Sequence, residues 1–215
     1  KDKSYSLHAE DISIGLVWLF QISGLIGISA GHDQWFISKT PIILCLTFIL
    51  LVFNFPISSS RAVLLTTLFF AGGMLAEWIG LKYGIVFGSY SYGSNLGPKI
   101  GGVPYLIGLY WALLVLVTGV AANHLSTNKL SRILIGAVLM VTLDFFMEES
   151  APKFDFWSFT SGIAPLSNYI SWFALALVLH FVLQLFTLSG SKRFSVHVLT
   201  SQFFFFIYFY VFCNI

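Results

Sequence analysis

Long apolar runs alternate with short polar breaks along this chain, and most of the runs have the 17 to 25 residues or so that a membrane helix needs. Seven spans are predicted: Ile12 to Gly31, Pro41 to Pro56, Ala62 to Lys82, Val103 to Ala122, Arg132 to Ser150, Leu166 to Leu188 and Phe194 to Cys213. The second is short and the last nearly featureless, so the pattern counts six or seven crossings. Composition makes the bilayer the solvent: 57% of the 215 residues are hydrophobic and 9% charged, against about 25% charged in a soluble domain. The expected fold is all-α, a polytopic integral membrane helix bundle of about seven transmembrane helices. Residues 1–215 are expected to form a single membrane domain in the cell (inner) membrane, in contact with lipid.

Charge in the connections sets an expected orientation. The N-terminus and the connections after the second, fourth and sixth spans hold Lys1, Lys3, Arg61, Lys129, Arg132, Lys192 and Arg193, whereas Lys39, Lys82, Lys99 and Lys153 fall on the other side. The richer side is expected in the cytoplasm, which places the N-terminus there. The first run follows Glu10 and Asp11 and exceeds a signal-peptide core, so it is read as a retained helix, and a first residue other than Met fits a trimmed or partial N-terminus. A net charge of +2 with no basic run implies no nucleic-acid partner. Cys45 and Cys213 lie in apolar runs, where a thiol acts as a small hydrophobe. His8, His32, His124, His180 and His197 show no spacing that would bring two onto one helix face, which argues against a metal centre.

One connection is irregular. Gly84 to Pro104 carries six glycines, two prolines and spaced aromatics. Some twenty structureless residues are unusual in a compact protein, and bare backbone at membrane depth survives only under protein cover or beside a wet cavity. This segment is expected to fold back over the bundle beside Glu77 and Asp144.

The acids inside the spans are the sharpest chemical signal, because a carboxylate at the bilayer centre costs about 2.5 to 3.5 kcal/mol even on insertion scales. They are Glu77, Asp144 and Glu148. Asp144 and Glu148, four residues apart, share one helix face, where two like charges disfavour joint ionisation. A structural reading pairs these acids with Lys82, Lys99 or Lys153, and another makes them a proton or ion path. Glu149, about 100° around the helix from Glu148, is read as solvated. Gly72, Ala76 and Gly80 form a small-residue stripe that lets a neighbouring helix approach and hold Glu77 in place. Trp78, Tyr83, Phe87, Tyr90, Tyr92, Phe156 and Trp157 cluster around the same segments. Singly they fit an interfacial aromatic belt. Together with the acids they can line a pocket that stabilises a carbocation over ring faces. His180 is read as a hydrogen-bonded core residue.

Two blocks of residues are familiar as a set. Glu77-Trp78-Ile79-Gly80, Gly84, Phe87-Gly88-Ser89-Tyr90-Ser91-Tyr92, Leu96-Gly97-Pro98 and Gly102-Val103-Pro104 form the first. Asp144, Glu148, Phe156-Trp157, Pro165-Leu166-Ser167-Asn168-Tyr169 and Trp172 form the second. Together, over about residues 75–172, they resemble the membrane-integral carotenoid hydratase family, which includes γ-carotene and bisanhydrobacterioruberin hydratases. Glu149 stands where that family often has a proline, a departure at the local helix end.

The resemblance implies a cofactor-independent hydro-lyase with no metal. It would add water to the terminal double bond of an acyclic (ψ) carotenoid end group of the γ-carotene, lycopene or bisanhydrobacterioruberin type. Hydrating such an alkene requires an acid for the less substituted carbon, surroundings that tolerate the tertiary cation, and a base for the incoming water. Asp144, the deeper acid, is the expected proton donor and Glu148 the group that handles the water, or the two in reverse order because coupled acids share their titration, and Glu77 is the electrostatic partner of the cation. Trp78, Tyr83, Phe87, Tyr90, Tyr92, Trp157 and Asn168 are the expected substrate-binding residues. A lycopene-cyclase-like enzyme and a proton-coupled transporter are the competing readings. A retinal-binding receptor is disfavoured because the last span has no Lys.

Overall fold

The computed structural model describes residues 2–186, 188 and 190–212. Lys1 and Cys213, counted above, lie outside the described residues, as do the side chains of Lys3 and His8. The chain folds into α1 (Asp2–Ser29), α2 (Asp33–Ile37), α3 (Thr40–Asn54), α4 (Ser60–Tyr83), β1 (Tyr90–Tyr92), β2 (Lys99–Ile100), β3 (Val103–Pro104), α5 (Tyr105–Leu125), α6 (Lys129–Ser150), β4 (Trp157–Phe159), α7 (Leu166–Phe186) and α8 (Lys192–Phe212). Residues 9–29 of α1, with α4 to α8, make six helices long and apolar enough to cross a membrane. This is the all-α polytopic bundle that the hydrophobic pattern predicts.

The remaining candidate, 41–56, becomes the 15-residue α3. A proline disfavours helical backbone in the residue before it, and Phe55, which precedes Pro56, is extended at φ −126°, ψ 144°. At 1.5 Å per residue α3 is about 22 Å long, short of the ~30 Å hydrocarbon layer. It nevertheless runs from one end of the bundle to the other. Pro41 sits near Gly97, in the irregular segment, and the Asn54 carbonyl accepts from the Ser191 N–H at 2.9 Å, just ahead of α8.

Helices α1 and α8 therefore run parallel, and polar contacts fix their register along the whole seam. Glu10 accepts from Ser191, and Asp11 pairs with Arg193. Trp18 Nε1 donates to His197 Nδ1 at 3.0 Å, and Ser29 Oγ donates to Tyr208 Oη at 3.0 Å. Residues 10 and 212 consequently lie at opposite ends of the bundle. Helix α5 is the central post, buried along nearly its whole length and packed against α3, α4, α6, α7 and α8.

The tight approach beside Glu77 uses a different stripe from the one expected. Gly73, Glu77 and Gly80 share the buried face of α4, while Gly72 and Ala76 are only partly covered. A Cβ on Gly73 would lie 2.5 Å from the Trp111 ring, and one on Gly80 would lie 2.6 Å from Phe87. Helix α4 ends at Gly84, left-handed at φ +65°, whose N–H returns to the Gly80 carbonyl, a stop that glycine makes without steric cost.

Gly84 to Pro104 folds over the bundle as expected, but it is not structureless. β1 pairs antiparallel with β4, setting Tyr90 opposite Phe159 and Tyr92 opposite Trp157, and β2 pairs with β3 across Gly101-Gly102. Phe87, Leu96 and Val103 of this cover are buried. Its outer edge is latched by Asp155, whose Oδ2 accepts from Ser94 N–H at 2.8 Å and from Ser94 Oγ at 2.6 Å.

Candidate active site

The site lies under the β1–β4 cover, where α4, α6 and α7 approach α5. Glu77 is reached first from the sequence side, because it projects from the face of α4 that Gly73 and Gly80 clear. Its Oε2 accepts from Tyr90 Oη at 2.6 Å and Tyr92 Oη at 2.7 Å, and its Oε1 accepts from Trp111 Nε1 at 3.1 Å. All three partners donate, the arrangement that a carboxylate, with acceptor lone pairs alone, satisfies. Burial, and next the Glu77 charge, push both phenols up from their ordinary value, so Tyr90 and Tyr92 stay neutral donors.

Across the site stand Asp144 and Glu148, one turn apart on α6. The Asn168 amide of α7 bridges them, donating to Asp144 Oδ2 at 3.0 Å and to Glu148 Oε1 at 2.9 Å. Trp157 Nε1 donates to Glu148 Oε2 at 2.8 Å. Asp144 is 1% exposed, and its Oδ1 is buried without a hydrogen-bond partner. It is the one carboxyl oxygen of this site that no protein group engages.

These groups surround one cavity of about 20 Å³, lined by Glu77, Asp144, Glu148 and Asn168 and walled by Phe87, Tyr90, Tyr92, Trp111, Trp157 and Trp172 among others. That is room for about one water molecule among polar partners. Trp111 and Trp172 stack with centroids 3.9 Å apart, which fixes the indole that donates to Glu77. Among the described residues, no cluster of His, Cys, Asp or Glu has the makings of a metal site.

Among the described residues, neither ion pair involves these acids. The ion pairs among the described residues are Lys153–Glu149 and Arg193–Asp11. Lys99 Nζ donates to the Tyr92 carbonyl, and Lys82 lies 4.7 Å from the Trp78 ring centroid and 5.2 Å from that of Tyr83. Glu149 sits on the exposed side of α6, facing Lys153, as its angular position predicts, and the helix continues through it to Ser150.

Trp78 and Tyr83 are not brought to the cavity. Turning Glu77 inward rotates Trp78 about 100° away, to the outer face of α4 beneath Gly101, and Tyr83 is exposed at the helix end. Asn168, expected to bind substrate, spends its amide on the two acids. His180 is a bonded core residue, with Nδ1 against the Ala176 carbonyl and Nε2 against Thr118 Oγ1. Trp111, Trp172 and Tyr110 complete the site. Trp172 stands in the second sequence block, but Trp111 and Tyr110 lie in an unbroken apolar run with no polar neighbour to single them out.

No curated protein and no solved structure matches the chain. The family described as "carotenoid biosynthesis protein" matches residues 38–215, a stretch that holds every side chain of the cavity. This buried, aromatic-walled set of acids thus belongs to a membrane-embedded member of the carotenoid biosynthesis protein family, and a carotenoid is the class of molecule on which it acts.

Proposed function

We propose that the chain is a carotenoid hydratase that adds water across the terminal double bond of an acyclic ψ end group. One observation carries this reading: three membrane-buried carboxyl groups meet at a water-sized cavity, and one carboxyl oxygen, Asp144 Oδ1, has no partner. In the proposed reaction Asp144 carries its proton on Oδ1 and delivers it to the less substituted alkene carbon, leaving a tertiary cation on the neighbouring carbon. The ring faces of Trp157 and Trp172 and the negative field of Glu77 favour that cation. A water beside Glu148 attacks the cation through oxygen and gives its second proton to Glu148. Proton return from Glu148 to Asp144, one helical turn away, restores the starting state, so the net change is one water added.

A protonation of the same kind followed by ring closure would need no water, and the polar cavity of one-water size favours hydration over that course. The proposed orientation puts the acid-bearing end of the bundle on the non-cytoplasmic side. Arg61, Lys129, Arg132, Lys192 and Arg193 at the other end support it. Expression in cells that accumulate an acyclic carotenoid is the test. Hydration raises the pigment's mass by one water, and Asp144→Asn stops it. A product of unchanged mass would point to cyclisation instead.

A further inference from the structure

A second, larger cavity adjoins the acids. It measures about 110 Å³ and lies between α1, α3, α5 and α8. Ile107, Tyr110, Met147 and Trp157 line both this cavity and the acid chamber, so the two share a wall. Its lining on α1 extends from Phe20 to Ile28, with Gly24 between them, and on α3 from Thr40 to Thr47. At 1.5 Å per residue the lining follows each helix for about 10 to 12 Å. The result is a mostly apolar slot, elongated along the helices and ending at the side chains it shares with the acid chamber. At the shared wall Tyr110 Oη donates to Gln202 Oε1 at 3.1 Å, which fixes the ring that separates the two spaces.

We infer that this slot binds the polyene of the carotenoid next to the reacting end group, and that α1 is one of its walls. The inference rests on the acid chamber being the place where the end group reacts. A conjugated polyene is linear, stiff and apolar, which an elongated slot suits and a round pocket does not. The slot and the acid chamber share Ile107, Tyr110, Met147 and Trp157, so an end group held in the slot lies one layer of side chains from the acids and reaches Asp144 when that layer gives way. Helix α1 precedes the matched residues 38–215. It thus supplies polyene contacts that the family match does not describe, and Gly24 sets the width of the slot on that side.

The test separates binding from turnover. Asp144→Asn protein, made in cells that accumulate an acyclic carotenoid and purified in detergent, should retain pigment, measured as polyene absorbance per protein. A Cβ on Gly24 meets only Phe205, at 3.5 Å, so Gly24→Ala should retain pigment normally, whereas Gly24→Leu projects into the slot. Added to the Asp144→Asn background, Gly24→Leu should cut retained pigment about tenfold, the scale of loss expected when a filled site must reorganise. Leu44→Trp on the facing wall should do the same, which guards against one variant failing to fold. Undiminished pigment in folded protein carrying either change would overturn the inference and leave the slot to a lipid tail. If the otherwise wild-type chain raises no product mass yet Gly24→Leu still sheds pigment, the slot assignment stands and hydration falls.

Discussion

The two walls of the acid chamber handle buried carboxyl groups in opposite ways. On the α4 wall, Glu77 meets three neutral donors from two places in the chain: Tyr90 and Tyr92 from the cover and Trp111 from α5. On the α6 wall, Asp144 and Glu148 share one amide, and Asp144 keeps an oxygen without a partner. A saturated carboxyl is a fixed piece of structure that ties the cover to the bundle. An unsaturated one retains bonding capacity for something that arrives. The three acids, alike in being buried, thus differ in how much of their bonding capacity the protein itself takes up.

Removing the proton from the unsaturated wall is expected to have the largest effect. Asp144→Asn keeps the side chain's size, and rotation of its amide leaves an acceptor for Asn168. Turnover should fall about 10²- to 10⁴-fold, the usual contribution of a positioned acid, while thermal stability in detergent hardly moves. Near wild-type turnover in both Asp144→Asn and Glu148→Gln would end the carboxyl mechanism.

The saturated wall should respond through stability instead. Glu77→Gln sets an amide NH2 either against the Trp111 N–H, which can only donate, or against the two phenols, which then lose the oxygen they share, so at least one buried donor loses its acceptor, at a cost of about 1 to 3 kcal/mol. A clear drop in melting temperature and faster proteolysis within residues 84–104 are expected. If Glu77→Gln melted like wild type while Asp144→Asn unfolded, the division between the walls would be reversed.

How much of this is legible in the sequence depends on where each residue stands against its background. Acids in apolar runs are conspicuous, so Glu77, Asp144 and Glu148 stand out, and the i,i+4 spacing puts two of them on one face. Tyr90 and Tyr92 are visible as neighbours but are expected to touch substrate. That their hydroxyl groups end on Glu77 depends on β1 pairing with β4, whose partners lie 65 to 69 residues along the chain, and three-residue strands carry no period to read. Trp78 is misplaced by the sequence reading because adjacent residues on a helix point in different directions. Trp111 and Tyr110 escape it because they sit in an unbroken apolar run. The 41–56 run is short in both sequence and structure, and the reason, the restriction Pro56 places on Phe55, is written in the sequence itself.

A smaller effect is expected at the donor that Glu148 has to itself. Trp157→Phe keeps an aromatic wall and removes the 2.8 Å N–H contact. The loss of one hydrogen bond of about 1 kcal/mol should lower kcat by about fivefold with little change in KM, since Asn168 still holds the other oxygen. A larger rise in KM than fall in kcat would make Trp157 a substrate contact instead.

The smallest effects belong to acids outside the chamber, and they sharpen the contrast between buried and exposed carboxyl groups. Glu149→Gln breaks only a surface pair with Lys153 and should leave turnover unchanged, as exposed pairs are worth little. Asp155 is more telling, because it latches the cover from outside. The Ser94 hydroxyl and then the Ser94 backbone N–H hold its carboxyl below the ordinary value. A group depressed in the folded state stabilises above its unfolded pKa, near 3.9, and that contribution is lost as pH falls through the lower folded value. The latch should therefore be fully closed at neutral pH and release only in acid. Asp155 occupies left-handed backbone at φ +51°, which Asn also tolerates, so Asp155→Asn removes the charge without straining the turn. Because the site is exposed, the loss should stay below about 1 kcal/mol. It should be read as faster hydrogen exchange at the Ser94 amide at pH 6, with the acid-induced release of the cover abolished. An unchanged exchange rate would move the closure of the cover entirely onto Glu77 and the β1–β4 pairing.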